Sequence, residues 1–207
     1  MDSAGWDARY EGSDLVWSAE PNQFVEAETS DLLAGDLPPG RALDLATGEG
    51  RNAIWLAENG WTVTAVDFSR AGLQKAAHLA TARGVTLELV EADVTAYAPD
   101  PGAFDLVLVA YLQTPEPDRR AWLRHAVDAL APGGTLLIVC HDRSNLDGGH
   151  GGPQDASVLT TPEEVAAVLT ADGRVEIDRA ALVERIVATP DGDATAIDHL
   201  VRAHRTR

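Results

Sequence analysis

Short apolar runs recur along the chain at residues 41–46, 62–66, 86–90, 104–110 and 135–140, each five or six residues long or nearly so and rich in Val, Leu and Ala. Runs of that length without strict alternation fit strands covered on both faces, as in a parallel sheet. Between them, residues 52–59, 71–83 and 118–130 carry apolar positions at helical spacing, with Ser69 placed as an N-cap and Gly60 and Gly84 placed to end helices. The alternation predicts βαβ units with right-handed crossovers, an α/β doubly wound architecture. Past Cys140 the pattern changes to a Gly-rich stretch at 147–153, then a helix beginning near Thr161-Pro162-Glu163-Glu164, then strand-like runs at 175–187 and 195–202. The turn Pro190-Asp191-Gly192-Asp193 joins those two as an antiparallel hairpin, so the parallel sheet is expected to close on an antiparallel pair.

A length of 207 residues suits one domain. Within it, residues 1–40 are expected to form an N-terminal cap and helix, 41–140 a ligand-binding core, and 141–207 a loop, helix and closing hairpin on the far side of the site. The net charge of -17 opposes a phosphate backbone, and the basic residues, with Lys75 the sole lysine, form no run; nucleic acid is therefore excluded and a small molecule expected as substrate. No apolar run approaches the roughly 20 residues of a bilayer span, so no membrane partner is expected. The opening Met1-Asp2-Ser3 is acidic and lacks the features of a secretory signal, which suggests a cytoplasmic protein. Cys140, the only cysteine, ends an apolar run and reads as a buried thiol. Oligomeric state is not legible.

The central motif is Leu43-Asp44-Leu45-Ala46-Thr47-Gly48-Glu49-Gly50-Arg51-Asn52-Ala53, a buried strand running through a glycine turn into a helix. Gly48-x-Gly50-x-x-Ala53 also fits a dinucleotide fingerprint, which keeps an NAD-linked oxidoreductase open. Charge separates the two. A pyrophosphate seeks unopposed N–H groups, and Glu49 between the glycines with Asp44 before them would repel it, whereas both suit a cofactor bearing an ammonium and a sulfonium. Asp67 ends the second strand where a carboxylate can accept ribose hydroxyls, its alternative being a helix cap; Ser69 is the better-placed cap. Asp93 ends the third strand, positioned for an adenine amino group with Val94 packing on the ring, or serving only the local turn.

The strings Ala42-Leu43-Asp44 through Leu56-Ala57, Val66-Asp67-Phe68-Ser69, Ala92-Asp93, Phe104-Asp105-Leu106-Val107 and Ala131-Pro132-Gly133-Gly134 resemble the successive motifs of class I S-adenosylmethionine-dependent methyltransferases. Within that class, Gly48-Glu49-Gly50-Arg51-Asn52-Ala53 and Trp6-Asp7-Ala8-Arg9-Tyr10 are similar to the tellurite-resistance and thiopurine methyltransferase group. The resemblance implies a Rossmann-like sheet of seven strands, S-adenosyl-L-methionine as methyl donor with S-adenosyl-L-homocysteine as product, and Trp6 and Tyr10 folding over it. It also implies cofactor contacts from Asp44, Ala46, Thr47, Gly48, Glu49, Gly50, Asn52, Asp67, Phe68, Ser69, Asp93, Val94 and Ala110. Ala46-Thr47 stand where the group commonly has Gly-Cys, and Glu184-Arg185 where the tellurite enzymes have His-Arg, so only Arg185 of that pair is retained.

Methyl transfer is a direct displacement that chiefly needs alignment and exclusion of water. The reacting face is expected beyond the ends of the fourth and fifth strands, at Ala110-Tyr111-Leu112-Gln113 and His141-Asp142. His141 is the candidate base with Asp142 to tune it, and Tyr111 either orients the reactants or plugs the sheet end. Trp17, Asn22, Asp142, His150 in the Gly-rich stretch and Arg185 are candidates for holding the acceptor. His141, Asp142, Asp147 and His150 match no compact metal motif, so no metal is expected. A non-catalytic S-adenosylmethionine-binding module is the remaining alternative.

Overall fold

The structure, a computed structural model, describes residues 3–12, 14–34 and 39–206, without the side chains of Asp31 and Ala34. Two helices, α1 (Ser3–Tyr10) and α2 (Gln23–Ala34), precede β1 (Arg41–Leu45), α3 (Arg51–Glu58), β2 (Thr62–Asp67), α4 (Arg70–Arg83), β3 (Glu88–Glu91) and β4 (Phe104–Ala110). There follow α5 (Glu116–Ala129), β5 (Leu130–His141), α6 (Asn145–Gly148), α7 (Pro162–Asp172), β6 (Val175–Thr189) and β7 (Gly192–Arg205). The strands form one seven-stranded sheet in the order β3-β2-β1-β4-β5-β7-β6. The first five run parallel; β7 inserts antiparallel between β5 and β6.

That order reverses between β1 and β4, so their carboxyl ends diverge and leave a crevice there. The central strands are buried on both faces. Leu43, Val107, Val109 and Ile138 pack with Trp122 and Leu123 of α5 on one side; Ala42, Leu106, Leu108 and Val139 pack with Leu56 of α3 and Trp61 on the other. Residues 118–130 and 135–140 needed correction. α5 starts at Glu116, where Pro115 and Pro117 favour a helix entry, and Leu130 already belongs to β5, which runs back through Gly133-Gly134. Among the described residues no helix is long and apolar enough to cross a membrane.

Ser69 caps α4, its hydroxyl oxygen accepting from the Gly72 N–H at 3.1 Å, and Gly84 closes that helix at φ 72°. α3 has no side-chain cap; Gly50 at φ 81° turns the chain directly from loop into helix. Ala46 holds φ 61°, a left-handed conformation that costs a residue bearing a Cβ about 1–2 kcal/mol. Ala46→Gly is expected to remove that strain at a chain-entropy cost of about 0.5–1 kcal/mol, raising the unfolding free energy by roughly 0.5 kcal/mol in a urea titration. A lower midpoint would show that packing of the Ala46 methyl against the core outweighs the strain.

Candidate functional site

The β1–α3 loop is built around two buried carboxyl groups. Asp44 is 1% exposed, and burial raises its carboxyl to about 7 against the opposing effect of the Thr47 hydroxyl, which donates to Oδ2 at 2.6 Å. Asp67, at the end of β2, accepts from the N–H of Gly48 at 2.8 Å and of Ser69 at 2.8 Å; burial pushes its carboxyl up while these bonds oppose the rise. It therefore joins the loop to the start of α4 and keeps lone pairs for a further donor. Half-buried Phe68 follows it. The Asp67 carbonyl accepts from the Ala92 N–H at 2.9 Å, which sets Asp93 beside the same strand end. Asp93 is exposed, with Oδ1 accepting from the backbone and hydroxyl of Thr95; Val94 is buried in the core.

The N-terminal segment folds over this loop. Asp7 accepts from the Ser69 hydroxyl at 2.6 Å and the Ala71 N–H at 3.1 Å, bonds that hold its carboxyl below the usual range. Tyr10 is buried with its hydroxyl against Gly48, where a Cβ would lie 2.8 Å from that oxygen, and its ring against Gly72, where a Cβ would lie 3.2 Å away. Trp6 stacks on Tyr10 at 5.4 Å, and the Trp17 indole N–H donates to the Tyr10 hydroxyl at 3.3 Å.

Glu49 corrects the sequence-based expectation. Its carboxylate accepts from the N–H groups of Val16 at 3.1 Å and Trp17 at 3.0 Å and pairs with Lys75 at 3.0 Å. The carboxylate ties down the N-terminal segment and its charge is matched, so it neither awaits an ammonium nor repels a pyrophosphate; of the two loop acids, that argument rests on Asp44. Asn52 is similarly engaged, its Oδ1 accepting from the Asn22 N–H at 2.9 Å.

At the far side of the crevice five side chains from five segments meet. Asp198 of β7, fully buried, accepts from the Tyr111 hydroxyl at 2.6 Å and from Arg185 Nε at 3.1 Å, and its Oδ1 lies 2.9 Å from His141 Nδ1. The Tyr111 hydroxyl accepts in turn from Asn22 Nδ2 at 2.9 Å and Arg185 Nε at 3.2 Å. Burial pushes the Asp198 carboxyl up, yet the His141 and Tyr111 contacts and the Arg185 charge outweigh it and hold the group below its ordinary range. Burial and the adjacent Asp198 charge raise the Tyr111 phenol far above its ordinary value, so Tyr111 braces the cluster as a neutral group and is no proton acceptor. Its φ of 58° is a strained value for an aromatic residue, held here by three polar contacts. Gly152 lies flat on the His141 ring; a Cβ there would sit 2.8 Å from Cδ2.

Asp142 does not tune His141. It faces away, with Oδ1 accepting from the backbone and hydroxyl of Ser144 and Oδ2 3.9 Å from buried His199, because successive β5 side chains point to opposite faces. Exposed His150 joins no side-chain bond of the cluster; its backbone N–H donates to Thr195 at 2.9 Å. Trp17 is 40% exposed on the N-terminal segment. The sequence reading missed Asp198, Asp7, Lys75, Gly72 and Gly152. Asp198 carried one signal, an acid set between the apolar Ile197 and Leu200 in a strand otherwise read as structural. Cys140 is buried, and burial pushes its thiol up to about 12. Among the described residues no group of three or more His, Cys, Asp or Glu is placed to hold a metal ion.

Comparison with known proteins matches residues 42–134 to a family described as a methyltransferase domain. A demethylmenaquinone methyltransferase of Thermus thermophilus is 38% identical over 130 residues, covering 62% of this chain and 55% of that protein. Thiocyanate methyltransferase 1 of Brassica oleracea is 25% identical over 169 residues, covering 80% of this chain and 72% of that one. The chain spans about half the length of the first of the curated relatives it matches, 55% and 40%. Among solved structures, the N-methyltransferase NodS from Bradyrhizobium japonicum WM9, in complex with S-adenosyl-L-homocysteine, superimposes with a TM-score of 0.73 at 18% identity over 99% of this chain and 98% of that one. Sheet order and glycine loop agree with the family match: residues 42–134 resemble a methyltransferase domain, carried on the Rossmann-like sheet that this chain shares with NodS.

Proposed function

We propose that this chain, acting as one domain, transfers a methyl group from S-adenosyl-L-methionine to a small-molecule acceptor, with His141 as the base. The observation that carries the reading is Asp198, which gathers His141, Tyr111 and Arg185 at the end of β4 and β5, beside the cofactor loop at the end of β1. Buried Asp44, whose carboxyl burial raises to about 7, is a site that a cationic ligand would stabilise. Asp44 would then hold the cofactor's ammonium, Asp67 its ribose, and Asp93 with Val94 its adenine. The 46–50 backbone, Phe68, Ser69 and Ala110 would line the cleft, under Trp6 and Tyr10.

The bound cofactor supplies an electrophilic methyl on sulfur. When bound it would offer that carbon to the acceptor's lone pair, the carbon–sulfur bonding electrons staying on sulfur. The acceptor's proton would pass to His141 Nε2, with the Asp198 carboxylate 2.9 Å from Nδ1 to stabilise the imidazolium. Gly152 over the ring limits access of water. A small acceptor is supported by relatives named for demethylmenaquinone and thiocyanate, and by a net charge of -17 that opposes a phosphate backbone.

Titration calorimetry with S-adenosyl-L-homocysteine should give saturable binding at micromolar concentration. A homocysteine-release screen over phenols, carboxylates, amines, thiols and inorganic oxyanions should find turnover that His141→Ala lowers by about 100-fold or more. Absence of binding at high micromolar product would sink the cofactor assignment, and unchanged turnover in His141→Ala the base.

A further inference from the structure

Arg51 is the first residue of α3, where the cofactor loop ends. Its guanidinium is half-buried, and among the described residues it makes no hydrogen bond or ion pair. Its guanidinium carbon lies 6.0 Å from the Tyr111 ring centroid. Arg185 reaches the same ring from β6, its guanidinium carbon 5.6 Å from the centroid. In a chain of net charge -17 a half-buried arginine without a carboxylate is out of keeping with its surroundings. Carboxylates were available in excess, and a desolvated guanidinium is costly unless paired.

The nearby charges do not balance. Arg185 has Asp198, but that one carboxylate is shared with His141 and Tyr111. Arg51 is depressed by burial and also by repulsion from Arg185, opposed by Tyr111 and Asp44. If Asp44 serves the cofactor's ammonium, the end of the crevice at Tyr111 holds two guanidinium groups against one carboxylate. A pocket of that sign favours an anion, and guanidinium groups suit a carboxylate or a similar oxyanion.

We propose that Arg51 and Arg185 form an anion subsite beside Tyr111, and that the methyl acceptor is a small organic acid whose carboxylate or equivalent oxyanion is held there. This rests on the methyltransferase reading above. An anionic group would complete the hydrogen bonding of Arg51, and His141 lies against the same ring, 5.0 Å between centroids, on the side where the acceptor's reacting atom would sit.

The test uses the full chain saturated with S-adenosyl-L-homocysteine and titrated, at fixed ionic strength, with benzoate, with sulfate and with benzamide as a neutral isostere of benzoate. Saturable binding of an anion in the millimolar range or tighter is expected, with benzamide at least tenfold weaker than benzoate. Arg51→Gln and Arg185→Gln should each weaken the anion at least tenfold, and Arg51→Lys should restore part of the loss. Product affinity should change less than threefold in Arg51→Gln, a variant that breaks no ion pair. Equal binding of benzoate and benzamide, or no saturable anion binding, would overturn the subsite. A large loss of product affinity in Arg51→Gln would also overturn it, by assigning Arg51 to the cofactor's own carboxylate. Product binding by the unaltered chain is read first and separates failure of the subsite from failure of the cofactor assignment.

Discussion

Asp198→Ala is expected to lower the unfolding free energy by about 3 kcal/mol, because it strands a half-buried arginine and a half-buried phenol that share one buried carboxylate. The cost comes less from the lost contacts than from Arg185 and Tyr111 left without an acceptor. Asp198→Asn keeps the shape and removes the charge. It should fold and instead lose about 100-fold or more in kcat/KM, since the neutral amide does not stabilise an imidazolium. Guanidinium denaturation of both variants, with a pH–rate profile of Asp198→Asn, checks the assignment. Destabilisation of Asp198→Ala with undiminished turnover and an unmoved acid limb in Asp198→Asn would leave Asp198 a structural residue only.

Cofactor affinity is expected to rise about tenfold between pH 6 and pH 8 and then level off. Burial raises the Asp44 carboxyl to about 7, whereas an ammonium bound there favours the carboxylate, so binding near neutrality releases a proton. Calorimetry with S-adenosyl-L-homocysteine in buffers of different ionisation enthalpy reads that proton directly. Asp44→Asn should bind more weakly and lose the pH dependence between 6 and 8. The same group affects the cofactor-free protein in the opposite sense. Its folded value lies above the unfolded 3.8, so its contribution is full below that value and is lost as pH rises through about 7. Buried His199, lowered by burial from 6.5 to about 4, contributes above 6.5 and loses that contribution as pH falls toward 4. Between pH 6.5 and 8 the Asp44 effect is free of this opposition, and stability of the unliganded chain should fall there while product restores it. No proton release on binding would remove Asp44 from the cofactor site.

The frame of the molecule was readable because its signals are local. Each buried strand is a compact apolar run, Ser69 and Gly84 mark the ends of α4 by their own conformational chemistry, and the hairpin turn is written in Pro190-Asp191-Gly192. Asp44, Asp67 and the glycines stand out in the sequence because they lie at strand ends close together in the chain. The charge of Glu49 was misread for the complementary reason: its partner Lys75 lies on another helix, and sequence alone does not show that the two meet. Asp198 is joined to Tyr111 across 87 residues, and a lone acid in a long strand gives no hint that a tyrosine, an arginine and a histidine converge on it. The strand period also explains the Asp142 error: adjacency in a strand places two side chains on opposite faces.

The bonds from Asp7 to Ser69 and Ala71 reach across more than sixty residues, |i−j| of 62 and 64. α1 docks on the start of α4, and Tyr10 needs Gly48 and Gly72 already in place. The segment that covers the cofactor loop is thus made before its own receptor and has to wait for β1, β2 and α4 to assemble. Order of synthesis and order of closure run in opposite directions, so the core can form while its binding face is still uncovered.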